Sequence, residues 1–221
     1  DSRQVYRGLD IGSGKITKFE MRRVPHHLLD VADPKKQFSV VQYRQHAIVA
    51  ITDILARGKV PIICGGTGFY IDAFVGSIVI PEVPPNKMLR AQLGKKNATQ
   101  LFLILQKLDP RRAGDVDAQN PVRLIRAIEI ARSIGSVPRL EERPPSWDVL
   151  QIGIKTDKEK LREKISLRLT KRMRKGMLAE GRRLHAHGLS WKRMRALGLE
   201  YRALADILTK SSLRPDIEQR L

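Results

Sequence analysis

Apolar and polar positions alternate along the chain as helical stripes and short apolar runs. From Gln42 to Gly58, Ala47, Ile51, Ile54 and Leu55 recur at helical spacing, and Gly58 stands where a C-terminal cap belongs. Val60-Pro61-Ile62-Ile63-Cys64 follows as a short apolar run bounded by glycines, the pattern of a buried strand with Cys64 as one of its core residues. Leu101, Leu105 and Leu108 line one face of a helix over 98–108. Asn120-Pro121 opens another as N-cap and first helical residue, and Gly135 lies just past its end. Three prolines within 81–86 exclude regular helix there. Residues 149–154 repeat the strand pattern, and Thr156-x-x-Glu159 is a capping-box signature at the head of a long basic helix. Helix, apolar strand and glycine turn in this order predict an α/β fold with a parallel sheet. Internal repeats and low-complexity tracts are absent.

Composition narrows the picture. The 221 residues suffice for one domain or a core with a modest insertion, and a hydrophobic share of 42% supplies a core, which excludes wholesale disorder. A single cysteine excludes an intrachain disulfide and a cysteine-cluster metal site. No apolar run approaches the ~20 residues of a membrane helix, and the polar opening Asp1-Ser2-Arg3-Gln4 has no signal-peptide character. These features predict a cytoplasmic protein that avoids membranes. The abrupt start at Asp1 and the helix-like ending Ile217-Glu218-Gln219-Arg220-Leu221 suggest a fragment. Lys and Arg number 42 against 23 Asp and Glu, a net charge of +19, which points to a polyanionic partner: RNA, DNA or phosphorylated ligands.

Five segments carry candidate chemistry. Residues 8–17, Gly8-Leu9-Asp10-Ile11-Gly12-Ser13-Gly14-Lys15-Ile16-Thr17, suggest a phosphate loop. The G-x-x-x-x-G-K-[ST] register fails, because Leu9 and Ile16 stand where Gly and Ser or Thr are required. Gly65-Gly66-Thr67-Gly68-Phe69-Tyr70 lies at the carboxyl end of the predicted strand, where open α/β sheets bind ligands. Its glycines admit close backbone approach, and Thr67 offers a hydroxyl. In Pro121-Val122-Arg123-Leu124-Ile125-Arg126, Arg123 and Arg126 share a face that suits a phosphate or simply meets solvent. Between Lys158 and Lys175 nine basic residues face two acids. Arg168, Lys171, Arg172 and Lys175 form a basic stripe beside the apolar stripe Leu161, Ile165, Leu169 and Met173, a footprint for a nucleic-acid backbone. His26-His27-Leu28-Leu29-Asp30 does not read as a metal site, since adjacent side chains diverge. His46, His185 and His187 add no ligand spacing, and no metal ligand is assigned.

Taken together, residues 1–12, Val24-Pro25-His26-His27-Leu28-Leu29-Asp30, Gly65-Gly66-Thr67-Gly68-Phe69-Tyr70 and Arg123-Leu124-Ile125-Arg126-Ala127-Ile128-Glu129 resemble, in order, the tRNA dimethylallyltransferase (isopentenyltransferase) family over nearly the whole chain. The resemblance implies a P-loop-kinase-like, nucleotide-binding parallel sheet core, incomplete at the N-terminus. A helical insertion over 81–118 and basic C-terminal helices complete it, the core being 1–80 and 119–221. It implies transfer of a dimethylallyl group from dimethylallyl diphosphate to N6 of the adenosine immediately 3′ of the anticodon, with Mg2+ assisting and a monomer holding the tRNA anticodon stem-loop. By match to the family's motifs, Asp1 is the general base and Thr67 sits near the diphosphate and the tRNA. Ser2, Arg3, Gln4, Thr67, Arg90, Val122, Arg123, Leu124, Ile125 and Arg126 contact tRNA, and Arg126 and Arg168 contact the diphosphate. The family's phosphate loop would lie upstream of Asp1 and its closing helix beyond Leu221, so activity is expected of the parent chain and little of this stretch alone. Ser13 stands where the family usually has Thr. The competing readings are a P-loop small-molecule kinase or adenylate isopentenyltransferase, and a non-catalytic RNA-binding module.

Overall fold

Side-chain caps set most of the helix starts in the computed structural model, which describes residues 1–75, 80–139 and 147–210. Helix α1 (Val40–Ala56) opens with a reciprocal capping box between Ser39 and Gln42, and α2 (Gly68–Val75) follows the glycine-rich turn. Asn86 caps α3 (Lys87–Leu93), Asn97 with Gln100 caps α4 (Ala98–Leu108), and Asp109 caps α5 (Pro110–Asp115). Asn120 caps α6 (Pro121–Ile134), where Pro121 occupies the first turn. Asp157 caps α7 (Lys158–Arg174) through the Glu159 and Lys160 amides, so the expected Thr156–Glu159 box is not the device used. Then come α8 (Met177–Ala186), α9 (Trp191–Arg195) capped by Ser190, and α10 (Leu199–Lys210). No helix among the described residues is long and apolar enough to cross a membrane.

The expected parallel sheet is not formed. Among the described residues the β pairing is one isolated parallel bridge, Tyr6 with Ala32, and the architecture is helical. The physical reason lies in the two apolar runs. Val60 and Ile62 are more than four-fifths exposed, as are Leu150 and Ile154, and Ile152 is 80% exposed. Ile63 and Val149 alone among their neighbours pack on the core. A run that is apolar on both faces becomes a buried strand only when a ladder partner and a covering layer exist, and periodicity specifies neither. Cys64 is accordingly exposed rather than a core strand residue.

The chain divides into two compact units, Asp1–Val75 with Trp147–Leu221, and Gly76–Ser146. In the first, α1 packs on α2, α10 packs on α8 and α9, and α7 leans on α8. Val5, Leu9, Met177, Leu189, Met194, Leu197, Tyr201 and Leu204 are fully or almost fully buried, with Tyr43, Ala47 and Ile51 of α1 joining them. One buried acid organises the loop over residues 8–17. The Glu180 carboxylate accepts the consecutive Asp10, Ile11 and Gly12 amides at 3.0, 2.7 and 3.0 Å, and the Tyr201 hydroxyl donates to it at 2.8 Å. A row of amides that resembles a phosphate cradle is thus filled by the protein's own carboxylate. Burial, and then the neighbouring Glu180 charge, push the Tyr201 phenol far above its usual range. Gly12 admits no side chain, because a Cβ would lie 2.7 Å from the Tyr201 ring. Lys15 is consumed in the same way: its ammonium donates to the Tyr6 carbonyl, Asp10 and Asp30.

In the second unit α4 packs on α5 and α6, and α3 packs on α6. Leu101, Leu105, Leu124 and Ile128 are fully buried, whereas Leu108 is more than one-third exposed. Asp109 caps α5 and also accepts the Val137 amide at 2.7 Å, tying the end of α4 to the segment after α6.

Candidate active site

The chain's first residues form a tight turn held by a carboxylate. Asp1 Oδ1 accepts the Arg3 amide at 2.7 Å and the Gln4 amide at 3.4 Å. That turn places Ser2 Oγ 3.0 Å from Thr67 Oγ1, although the residues are 65 positions apart. Thr67 sits where the glycine-rich turn enters α2, its carbonyl accepting the Tyr70 amide at 2.9 Å. Asp1, Ser2 and Thr67 line one hollow, with Tyr43 and Tyr70 beside them and Ile63, Cys64, Gly65 and Ile71 completing the wall. The Tyr43 and Tyr70 rings lie 4.8 Å apart. Burial raises the pKa of both phenols, so they stay neutral. The Ser2 and Thr67 hydroxyls, coupled to each other, therefore meet a small crevice beside two neutral phenols, with Asp1 on its rim and the Asp1 Oδ1 engaged in the turn.

The other expected site residues stand elsewhere. In the first unit, Gln4 turns its side-chain carbonyl onto the Ile16 amide at 3.2 Å, and Arg3 is exposed with its guanidinium against Gly198. Neither lines the hollow, and nor does Arg168, which is exposed on α7. The basic stripe of α7 is not uniform. Arg172 turns inward and donates to the Gly12 carbonyl at 3.0 Å, with its side chain 14% exposed. Leu169 and Met173 are partly buried against the core, but Leu161 and Ile165 are about half exposed, so the apolar stripe packs along only part of its length.

In the second unit, Arg90 and Arg126 converge on Glu129. Arg90 donates to its carboxylate through Nε at 2.9 Å and Nη2 at 2.7 Å, and the Arg126 guanidinium and the Asn86 amide add two more hydrogen bonds. Arg126 Nη2 also donates to the Val83 carbonyl at 2.9 Å. Burial alone would raise the Glu129 pKa. The donors from Arg90, Asn86 and Arg126 outweigh it and hold the carboxyl at about 2. Val122 and Arg123 are exposed, Leu124 is fully buried, and Ile125 packs partly on the core. Arg123 and Arg126 therefore do not share one solvent face.

Tyr43, Tyr70 and Glu129 went unassigned by the motif reading. Tyr43 was accessible through its i, i+4, i+8 spacing with Ala47 and Ile51, and Tyr70 through its place in the glycine-rich motif. Glu129 stands as an acid between Ile128 and Ile130 on a helix, a position that burial makes informative only when paired cations are known. Among the described residues no group of three His, Cys, Asp or Glu side chains is placed to hold a metal ion.

Residues 4–220 match the IPP transferase family. The chain is 41% identical over 221 residues to tRNA dimethylallyltransferase 2 of Trichlorobacter lovleyi, covering all of this chain and 72% of that one. It is 40% identical over 207 residues to tRNA dimethylallyltransferase 1 of Syntrophus aciditrophicus, covering 91% of this chain and 68% of that one. Among solved structures, the tRNA isopentenylpyrophosphate transferase of Bacillus halodurans superposes with a TM-score of 0.67 at 30% identity, over all of this chain and 71% of that one. A eukaryotic dimethylallyltransferase superposes with a TM-score of 0.75 at 20% identity, a likeness of fold, over all of this chain and 60% of that one. Sequence along the whole chain and fold agree: the chain belongs to the IPP transferase family.

Proposed function

We infer that the protein transfers a dimethylallyl group from dimethylallyl diphosphate to N6 of the adenosine immediately 3′ of the anticodon in tRNA. The observation that carries this reading is the convergence of Asp1, Ser2 and Thr67 on one hollow beside Tyr43 and Tyr70. An exocyclic adenine amine is a weak nucleophile, and a carboxylate within reach accepts its proton as nitrogen attacks. The C1–N6 bond forms, the C1–O bond breaks, the diphosphate departs with the bonding pair, and the N6 proton passes to Asp1. The adenine leaves its stack to enter the hollow, which costs least in a loop whose bases are unpaired. Asp1 and Thr67 are the residues we assign to the reacting centre. To the diphosphate we assign Arg168, and to the tRNA Ser2, Arg3, Gln4, Thr67 and the exposed Val122 and Arg123; Arg90 and Arg126 are engaged by Glu129, and Leu124 is buried. Charge growing on the departing oxygens is where guanidinium groups act most strongly. Bound Mg2+ would add to that stabilisation of the departing diphosphate.

The test is direct. Unmodified tRNA incubated with the full-length protein and dimethylallyl diphosphate, then digested to nucleosides, should yield N6-(dimethylallyl)adenosine by mass spectrometry. Modified free adenosine nucleotide with unmodified tRNA would favour an adenylate prenyltransferase instead, and RNA binding without transfer would favour a binding module.

A further inference from the structure

Residues 17–24 form a short, well-tied loop that the chemistry above leaves unused. Thr17 and Glu20 cap it reciprocally: Glu20 Oε2 accepts the Thr17 amide at 2.9 Å and its hydroxyl at 2.7 Å, while Thr17 Oγ1 accepts the Glu20 amide at 3.3 Å. Turn hydrogen bonds run from the Met21 amide to Thr17 O at 3.0 Å and from the Val24 amide to Met21 O at 2.8 Å. Arg22 and Arg23 adopt left-handed backbone conformations at φ 46° and 66°, which ordinary side chains avoid unless the surroundings fix them. On this fixed loop Phe19 is 90% exposed, and Lys18, Arg22 and Arg23 are exposed around it. The one acid, Glu20, spends its carboxylate on Thr17.

The loop stands beside the basic end of α7. Arg172 grips the Gly12 carbonyl, and Gly14 approaches the Arg172 guanidinium so closely that a Cβ would meet Nη2 at 2.0 Å, which seats the preceding stretch against that helix. The Glu20 carboxyl is held below its usual range chiefly by its hydrogen bonds to Thr17, with smaller contributions from the Lys175 and Lys171 charges. Lys171 and Lys175 are exposed.

We propose that residues 17–24 are an RNA-contact surface outside the reacting hollow, in which Phe19 stacks on an unpaired base and Lys18, Arg22 and Arg23, with Lys171 and Lys175 of α7, hold the flanking phosphates. A rigidly presented aromatic ring ringed by cations of one sign is the pairing of stacking platform and phosphate contacts that single-stranded RNA requires. Anionic membranes also attract exposed aromatics and cations, but a single capped turn gives no extended apolar face to insert, which favours RNA. The inference rests on the tRNA reading of the hollow.

Binding of an unmodified anticodon stem-loop RNA by the full-length protein, and its prenylation, are measured for the parent and for Phe19→Ala, Phe19→Trp and Lys18→Glu/Arg22→Glu/Arg23→Glu. Phe19→Ala should weaken binding about 10-fold and Phe19→Trp restore it. The triple variant should weaken binding further and lower the slope of log affinity against log salt by about 2. Circular dichroism should show each variant folded as the parent. Parent-like affinity and slope in every variant, with the parent prenylating the RNA, overturn this surface and leave the tRNA reading intact. A parent that neither binds nor prenylates the RNA overturns both. Variants that keep RNA affinity but lose binding to phosphatidylserine vesicles overturn the proposal in favour of a membrane contact.

Discussion

Asp1 has two places in the structure. Its Oδ1 holds the turn over residues 1–4 by accepting two amides, and the residue lines the hollow it shares with Thr67. Asparagine preserves the acceptor and removes the base, so a substitution can separate turn geometry from proton transfer. Thr67 is similarly separable. Thr67→Ser keeps the hydroxyl partner of Ser2 Oγ, whereas Thr67→Val removes it and leaves Ser2 facing an apolar group. Steady-state kinetics should show kcat/KM within about threefold of the parent for Thr67→Ser and at least about 10-fold lower for Thr67→Val, the scale of one lost hydrogen bond. At Glu180, the Gly12, Ile11 and Asp10 amides and the Tyr201 hydroxyl all lose their acceptor in Glu180→Ala. Urea unfolding should show a loss of roughly 3–5 kcal/mol. These residue-scale ties were the least legible in the sequence. Glu180 meets partners 168 to 170 positions away, and no local pattern marks that separation.

Helices were the most legible elements, because their signals are local. Asn120-Pro121 and Gly135 marked α6, and the leucine spacing marked α4 over its full length. The strands failed for the opposite reason: Val60, Ile62, Leu150, Ile152 and Ile154 carry the right composition but pair with nothing among the described residues. The arginine readings failed on partners as well. Arg126 and Arg172 lie on solvent-facing stripes by spacing alone, yet one is drawn to Glu129 and Val83 and the other to Gly12. In α7 no residue is fully buried and packing on the core is confined to the C-terminal half, so Met173→Ala or Leu169→Ala should cost about 1 kcal/mol and Leu161→Ala under about 0.5 in urea unfolding. In α6, the depressed Glu129 pKa makes stability depend on acid. A carboxyl held at about 2 against an ordinary 4.5 contributes stability that is fully present above the unfolded value and drains away as pH falls toward 2. Discounted for the partly exposed arginines, the loss should reach roughly 1 kcal/mol between pH 6 and pH 3. Glu129→Gln should flatten that part of the pH profile.

At the scale of the molecule, the net charge of +19 is a property that every reading of the sequence had to accommodate, and a polyanionic substrate accommodates it. Charge alone does not choose among RNA, DNA and phosphorylated small ligands. Family membership supplies the choice, since the chain matches the IPP transferase family and its similar relatives are tRNA dimethylallyltransferases. The measurement that bears most directly on this account is single-turnover prenyl transfer to an unmodified anticodon stem-loop by the full-length protein and its Asp1→Asn variant, with RNA affinity measured in parallel. With Asp1 as the base, the transfer rate should be at least about 100-fold lower in the variant, with affinity within twofold of the parent. A variant that transfers at the parent rate would contradict it, because the proton would then have left by a route that does not involve Asp1.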